Sequence, residues 1–273
     1  MKLIMKVFRN LLMLVMIAAS ATLVSCELFE DAVGPLPLSE SEIIQGLKEA
    51  LSIGLDNSVV SASDPGGYLQ NEAIKILLPE EVTDLQSKIQ TENIAGVVPL
   101  SVVYDAYITL ENDGNDLFDE LITAMNKGAE NAADKALPIF GNAITSMSFD
   151  DARGILNGNN TAATDYFYDE TNVALFEAFN PDVKTALDGT GAIQIYTDVV
   201  GFLNFEYDPT GLGLSTVSPE DVLNVNLPES IDEYATNRAI DGLFHLVGEE
   251  ERKIRDDPFA WGSAIIERVF GSK

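Results

Sequence analysis

After residue 39 the apolar side chains of this chain recur at three- and four-residue intervals, separated by the residue types that start and stop helices. The first run shows the pattern. Ile43, Ile44, Leu47, Leu51 and Leu55 share one helical face, and "SESE" ahead of them reads as a capping box, with Ser39 accepting from the backbone and Glu42 reaching back. "SASDPGGYLQ" ends that helix in a Pro-Gly-Gly turn. Strands do not alternate with helices, no fixed period repeats, and no heptad run is long enough for a coiled coil. The pattern predicts an all-α, bundle-like, multi-helix single domain over residues 39–273.

Within it, "NEAIKILL" and "PEEVTDLQSKIQ" read as two short helices, Pro79 suiting a first helical position. "NIAGVVPLSVVYDAYITLEND" is rich enough in β-branched residues for a strand, but a helix from Ser101 is preferred because no partner strand is evident. Leu117, Leu121, Ile122, Met125, Ala129, Ala132 and Ala133 mark a helix behind Asp116 whose small residues admit a close neighbour, and Pro138 restarts it. Ser148 with Asp151 caps a short helix that stops at Gly158. Thr161 then opens another, through Tyr166, Phe167, Val173, Leu175, Phe176 and Phe179 to "NPDV". In the corner between them Asn157, Asn159 and Asn160 are turn residues able to take left-handed angles. The later helices are "AIQIYTDVVGFLNF", "SPEDVLNV" behind Ser218 and Pro219, "SIDEYATNRAIDGLFHLVGEEERKIRDD" and "DPFAWGSAIIERVFG" capped by Asp257, with "DPTGLGLSTVSP" as a loop.

Residues 1–25 have the form of a lipoprotein signal peptide. Lys2, Lys6 and Arg9 precede the uncharged "LLMLVMIAASATLV", too short for a membrane span with flanks of its own, and the run closes on "LVSC". Leu23, Val24 and Ser25 resemble the lipobox of a bacterial lipoprotein, which makes Cys26, the single cysteine, the expected site of lipid attachment. A plain secretory leader would leave Cys26 as an unexplained thiol in an exported chain. Residues 26–38 then form a short lipidated tether, its prolines suiting an extended spacer. Acylation at Cys26 leaves no thiol for a disulfide or a catalytic thiolate. Glu27 differs from the aspartate that retains lipoproteins at the inner membrane, so the expected address is the outer membrane, facing periplasm or surface.

Loss of the leader removes three of 16 basic residues and none of 44 acidic ones, leaving a formal charge of −31. Nucleic acid and anionic lipid surfaces repel such a chain. The expected partners are the membrane, through the anchor, and an envelope protein or a small polar ligand. The acidity fits calcium-rich surfaces, basic partners or a saline habitat, and the scatter of the acids in twos and threes favours the last.

Each short motif for chemistry meets an obstacle. His245 is the only histidine, which rules out sites built from several, and no G-x-S-x-G elbow presents a serine to it; it reads as a helix-packing residue. Aligning Gly114 and Glu120 to an EF-hand places Thr109 where an aspartate is required, so capping by Asn115 or Asp116 explains that stretch better. Asp150 with Asp151, and Glu249 with Glu250 and Glu251, contain the carboxylates of an acid–base pair, but adjacent helical residues diverge. "TGLGLS" lacks the lysine of a phosphate loop. No catalytic residue, metal site or cofactor is therefore assigned. The five arginines after the leader are more informative. Arg153, Arg238 and Arg255 adjoin apolar helical positions, where pairing with carboxylates would hold helices together. Alternatively, they line a polar cleft with Asn126, Asn160, Thr161, Asp165 and Asn237 for an anionic or polar ligand.

Several ordered stretches resemble a family of exported bacterial proteins known only as the domain of unknown function 4197 family. They are "GLKEALSIG", "GYLQNEAIKILLPE", "MNKGAENAADKALPIFGNAITSMSFDDARGILNGNNTAATDYF", "YATNRAIDGLFHLVGEEERKIRDDP" and "RVFG", and together they span nearly all of the chain after the tether. The resemblance implies a helical, exported, often lipid-anchored protein, and supplies no activity, cofactor or catalytic residue to carry over. The loop near Gly211 and the tail "DDPFAWGSAIIE" are less typical of that family. The expectation is a cell-envelope lipoprotein that binds or scaffolds, with a carboxylate-dependent envelope hydrolase as the rival reading.

Overall fold

The computed structural model describes residues 37–94, 97–208, 212–213, 216, 218–221, 223 and 225–271. The leader, Cys26, the tether as far as residue 36 and most of the loop near Gly211 lie outside the described residues. The described residues hold ten α-helices and one two-stranded sheet, so the chain is all-α.

Helix α1 (Glu40–Ser63) begins directly after Ser39 and buries Leu47, Leu51, Leu55 and Val59 along one stripe. Helix α2 (Glu80–Thr91) follows, then β1 (Asn93–Ile94) and β2 (Val98–Pro99), which pair antiparallel with each other. Helix α3 (Leu100–Glu111) starts at the end of that hairpin. Asp116 caps α4 (Leu117–Ala132), accepting from the N–H groups of Phe118 and Asp119 at 2.9 and 3.1 Å. A 3-10 turn at Ala133–Ala136 leads into α5 (Leu137–Ser146), with Pro138 in its first turn. The predicted capping box opens α6 (Phe149–Asn157): Ser148 Oγ accepts from Asp151 N at 3.2 Å and the Asp151 carboxylate accepts from Ser148 N at 3.0 Å. The Ser148 hydroxyl and N–H together hold the Asp151 carboxyl below the usual aspartate range. Helices α7 (Ala162–Gly189), α8 (Ala192–Leu203), α9 (Asp232–Asp256) and α10 (Ala264–Phe270) complete the unit.

Helix α7 packs most extensively, against α9 and α4, and α1 lies along the other side of α9. Phe140 joins these layers, its ring meeting Phe167 edge-on at 5.9 Å and Phe244 at 5.6 Å.

Four local expectations are corrected. Residues 71–78 are a turn followed by extended chain and not a helix. Asn126 of α4, 0% exposed, accepts from Ile76 N at 2.8 Å and donates to Ile76 O at 2.8 Å, giving the segment a side-chain substitute for a strand partner. Helix α7 continues through Pro181 to Gly189. A proline inside a helix costs about 3 kcal/mol, but the continuation buries Val183 and Leu187 completely, at about 1.5–3 kcal/mol each. Among the described residues of "SPEDVLNV", Pro219–Asp221 form a 3-10 turn in place of the expected helix. The final stretch divides into a 3-10 turn (Pro258–Trp261) and α10, because Gly262 adopts a left-handed φ of 63° and Ser263 caps anew.

Candidate functional site

The corner between α6 and α7 is closed from a distance by α9. The Glu251 carboxylate accepts from the N–H groups of Ala163 and Thr164, both at 2.9 Å, and from the Thr164 hydroxyl at 2.8 Å. One turn on, Arg255 donates to Glu251 from Nε and Nη2, and Nη2 also reaches the carbonyl of Ile155 at 2.9 Å. A carboxylate thus sits at the positive end of α7 and a guanidinium at the negative end of α6, as the helix dipoles favour. Both side chains are nearly buried, 5% and 11% exposed, and the guanidinium lies 5.9 Å from the Phe270 ring of α10. The predicted cap, Thr161, leaves this role to Glu251; its hydroxyl turns to Asn159 and Asp165 instead. None of the corner asparagines takes a left-handed angle, since the Asn159 side chain makes the turn by accepting from Thr161 N at 3.0 Å.

The eight residues of the predicted polar cleft divide among several places. Asn160 and Arg255 share a depression of about 250 Å³ at this corner, whereas Thr161 and Asp165 are exposed, bonded to each other and not part of its lining. Asn126 lines no opening, being wholly buried against Ile76 and Ile122. Asn237 belongs to a separate groove between α7 and α9. Arg238 pairs at 3.3 Å with Asp241 on its own helix, and Arg153 is exposed, with no carboxylate within ion-pair distance among the described residues. Of the three arginines expected to join helices, Arg255 does so.

Buried carboxylates brace this fold through backbone N–H groups. Glu130 of α4 accepts from Tyr68 and Leu69 at 3.2 and 3.1 Å, closing the turn after α1 as Glu251 closes the corner. Glu250 takes a third course. Its carboxylate accepts from Asn57 Nδ2 of α1 at 2.9 Å and from Lys253 at 2.5 Å.

Above Glu250 lies a polar pocket of about 310 Å³, lined by Asn57, Ser58 and Ser61 of α1, Asn71 and Ala73 of the following turn, and His245, Leu246, Glu249, Glu250 and Lys253 of α9. The sequence reading of His245 as a packing residue is corrected here: it is exposed at this pocket's mouth, its Nε2 3.9 Å from Glu249, which also pairs with Arg252. A second concavity, about 440 Å³, runs between α7 and α9, with Tyr168, Asn172, Val173, Phe176 and Glu177 facing Asn237, Ile240 and Asp241. No described helix is long and apolar enough to cross a membrane, and no group of three or more potential metal ligands occurs among the described residues.

These features define an all-α domain braced internally by carboxylates and open to solvent along both sides of α9. The chain belongs to the family described as Protein of unknown function (DUF4197), which matches residues 37–98 and 104–271. The second match runs through the loop near Gly211 and the tail that the sequence reading sets apart. Neither the curated proteins nor the solved structures contain a match.

Proposed function

We propose that this chain is a lipid-anchored binding module of the bacterial cell envelope, and that the α7–α9 groove receives a basic, amphipathic segment of another envelope protein. The leader and the Cys26 lipobox support the address. One observation carries the binding reading: Glu177 lines the groove, Asp169 stands one turn from Val173 on the same face of α7, and the helix bears no lysine or arginine between residues 162 and 183. That anionic flank adjoins exposed apolar surface, Val173 at 68% and Tyr168 at 45%. A helix with an apolar face and cationic edges matches both properties. A second copy of this chain, or its own acidic tether, would carry the wrong charge.

Two measurements test the reading. Metabolic labelling with palmitate is expected to mark the wild type and leave Cys26→Ala unmarked. A photo-crosslinker at position 173 is expected to capture a basic helical segment, whose synthetic peptide binds more weakly in high salt and to Glu177→Lys. An unlabelled wild type would remove the anchor. A captured segment without positive charge, or binding insensitive to both salt and charge reversal, would remove the groove as the docking face.

A further inference from the structure

We infer that the polar pocket between α1 and α9 binds an uncharged, polyhydroxylated ligand of mono- or disaccharide size. It lies apart from the α7–α9 groove and does not depend on the partner proposed for that groove. Its volume of about 310 Å³ is at the lower end of the range for small-molecule sites.

The chemical class follows from which polar atoms are already engaged. Glu250 is held by Asn57 and Lys253, and Glu249 by Arg252, so each carboxylate has a cation on its own helix. A cationic ligand would compete with these resident cations for the carboxylates. An anionic ligand would enter a chain of formal charge −28 and meet both carboxylates. An uncharged ligand avoids both costs. Three uncharged groups remain to bind it. The Ser61 hydroxyl makes no hydrogen bond among the described residues, Asn57 engages only its Nδ2, and Asn71 engages only its Oδ1, which accepts from Ala73 N at 3.1 Å. The pocket therefore offers a free acceptor, a free donor and a hydroxyl, with the His245 imidazole at its mouth. Neighbouring hydroxyls on one ring can both donate and accept, and so satisfy such a set together. Leu246 and Ala73 are the apolar lining, and no Phe, Tyr or Trp side chain contributes, which disfavours flat apolar ligands.

Titration of the detergent-solubilised full chain with neutral mono- and disaccharides, alongside glucuronate and glucosamine as charged counterparts, tests the inference by calorimetry. Neutral sugars are expected to bind with a Kd of about 1 mM or tighter, and more tightly than either charged form. Ser61 is exposed and supports no buried bond, so Ser61→Trp is expected to fill the pocket, weaken binding at least about tenfold and leave the melting temperature unchanged. The α7–α9 groove is unaltered in that variant, so its peptide binding separates failure of one site from failure of the other. No binding across the neutral panel, tighter binding of a charged form, or unchanged binding by a folded Ser61→Trp would each overturn the inference.

Discussion

Arg255 holds Glu251 at 2.6 Å one turn away on the same helix, and each uses its remaining capacity on the end of a different helix. Removing either partner leaves the other charge nearly buried without its counter-ion. Glu251→Ala also strips the acceptor from two N–H groups of α7. Each single variant is expected to lose about 3–5 kcal/mol, read as a lower urea midpoint. The double variant should lose clearly less than the sum, because its members share one network. A loss below about 1 kcal/mol for Glu251→Ala would place the pair with ordinary surface ion pairs.

Asn126 makes three hydrogen bonds while fully buried: two with the backbone of Ile76, and one to the Ile122 carbonyl at 2.7 Å. Truncation to alanine strands the Ile76 N–H and carbonyl inside the protein, at about 1–3 kcal/mol for each unsatisfied group. Asn126→Asp should be worse, since the carboxylate would face two carbonyl oxygens with no proton to donate. Hydrogen exchange at Ile76 reports the effect locally. Unchanged protection in Asn126→Ala would show that the extended segment is held by its apolar contacts alone.

What the sequence made legible is what neighbouring residues decide. The Ser148–Asp151 cap, the Asp116 cap and the apolar stripe of α1 each depend on residues a turn or two apart, and each was readable. The 71–78 segment was not, because the group that satisfies its backbone stands 50 positions away. Pro181 signalled an end to α7, and only the burial of Val183 and Leu187 outweighs it. The same limit governs the site. His245 was conspicuous as the only histidine, yet its setting depends on Asn57 and Glu250 meeting across 193 positions. The Glu251 cap spans 88. Charge counting identified the acids without showing which ones the interior uses.

Gly242 sits where α9 crosses the turn after α1. A Cβ there would lie 2.8 Å from a ring carbon of Tyr68 and 3.1 Å from the Cβ of Ile74. The Tyr68 ring cannot readily retreat, since it is fully buried and its hydroxyl donates to the Ala239 carbonyl at 2.6 Å. Alanine normally improves a helix interior by roughly 1 kcal/mol over glycine. Overpacking of about 1–3 kcal/mol should reverse that sign here. Gly242→Ala is therefore expected to lower the melting temperature, whereas Gly154→Ala, whose Cβ meets nothing within 4 Å, should raise it. A stabilised Gly242→Ala would mean that the turn yields easily.

Alkaline pH should unfold the domain through its tyrosines. Burial pushes the phenols of Tyr68 and Tyr104 well above their ordinary value, and burial together with nearby Glu81 pushes Tyr196 up to about 12. A phenol with a raised folded pKa favours the folded state in its protonated form. That contribution is complete below the unfolded value of about 10, and it is lost as pH rises through the folded values. Helicity and tyrosinate absorbance should accordingly change together above pH 10, in one transition. Tyr196→Phe removes both the titrating group and its 2.5 Å bond to the Pro228 carbonyl. Stability should fall by about 1 kcal/mol at neutral pH, and the alkaline loss should become shallower. Full tyrosinate absorbance from all eight tyrosines while the helices persist would show that the buried rings reach solvent without unfolding.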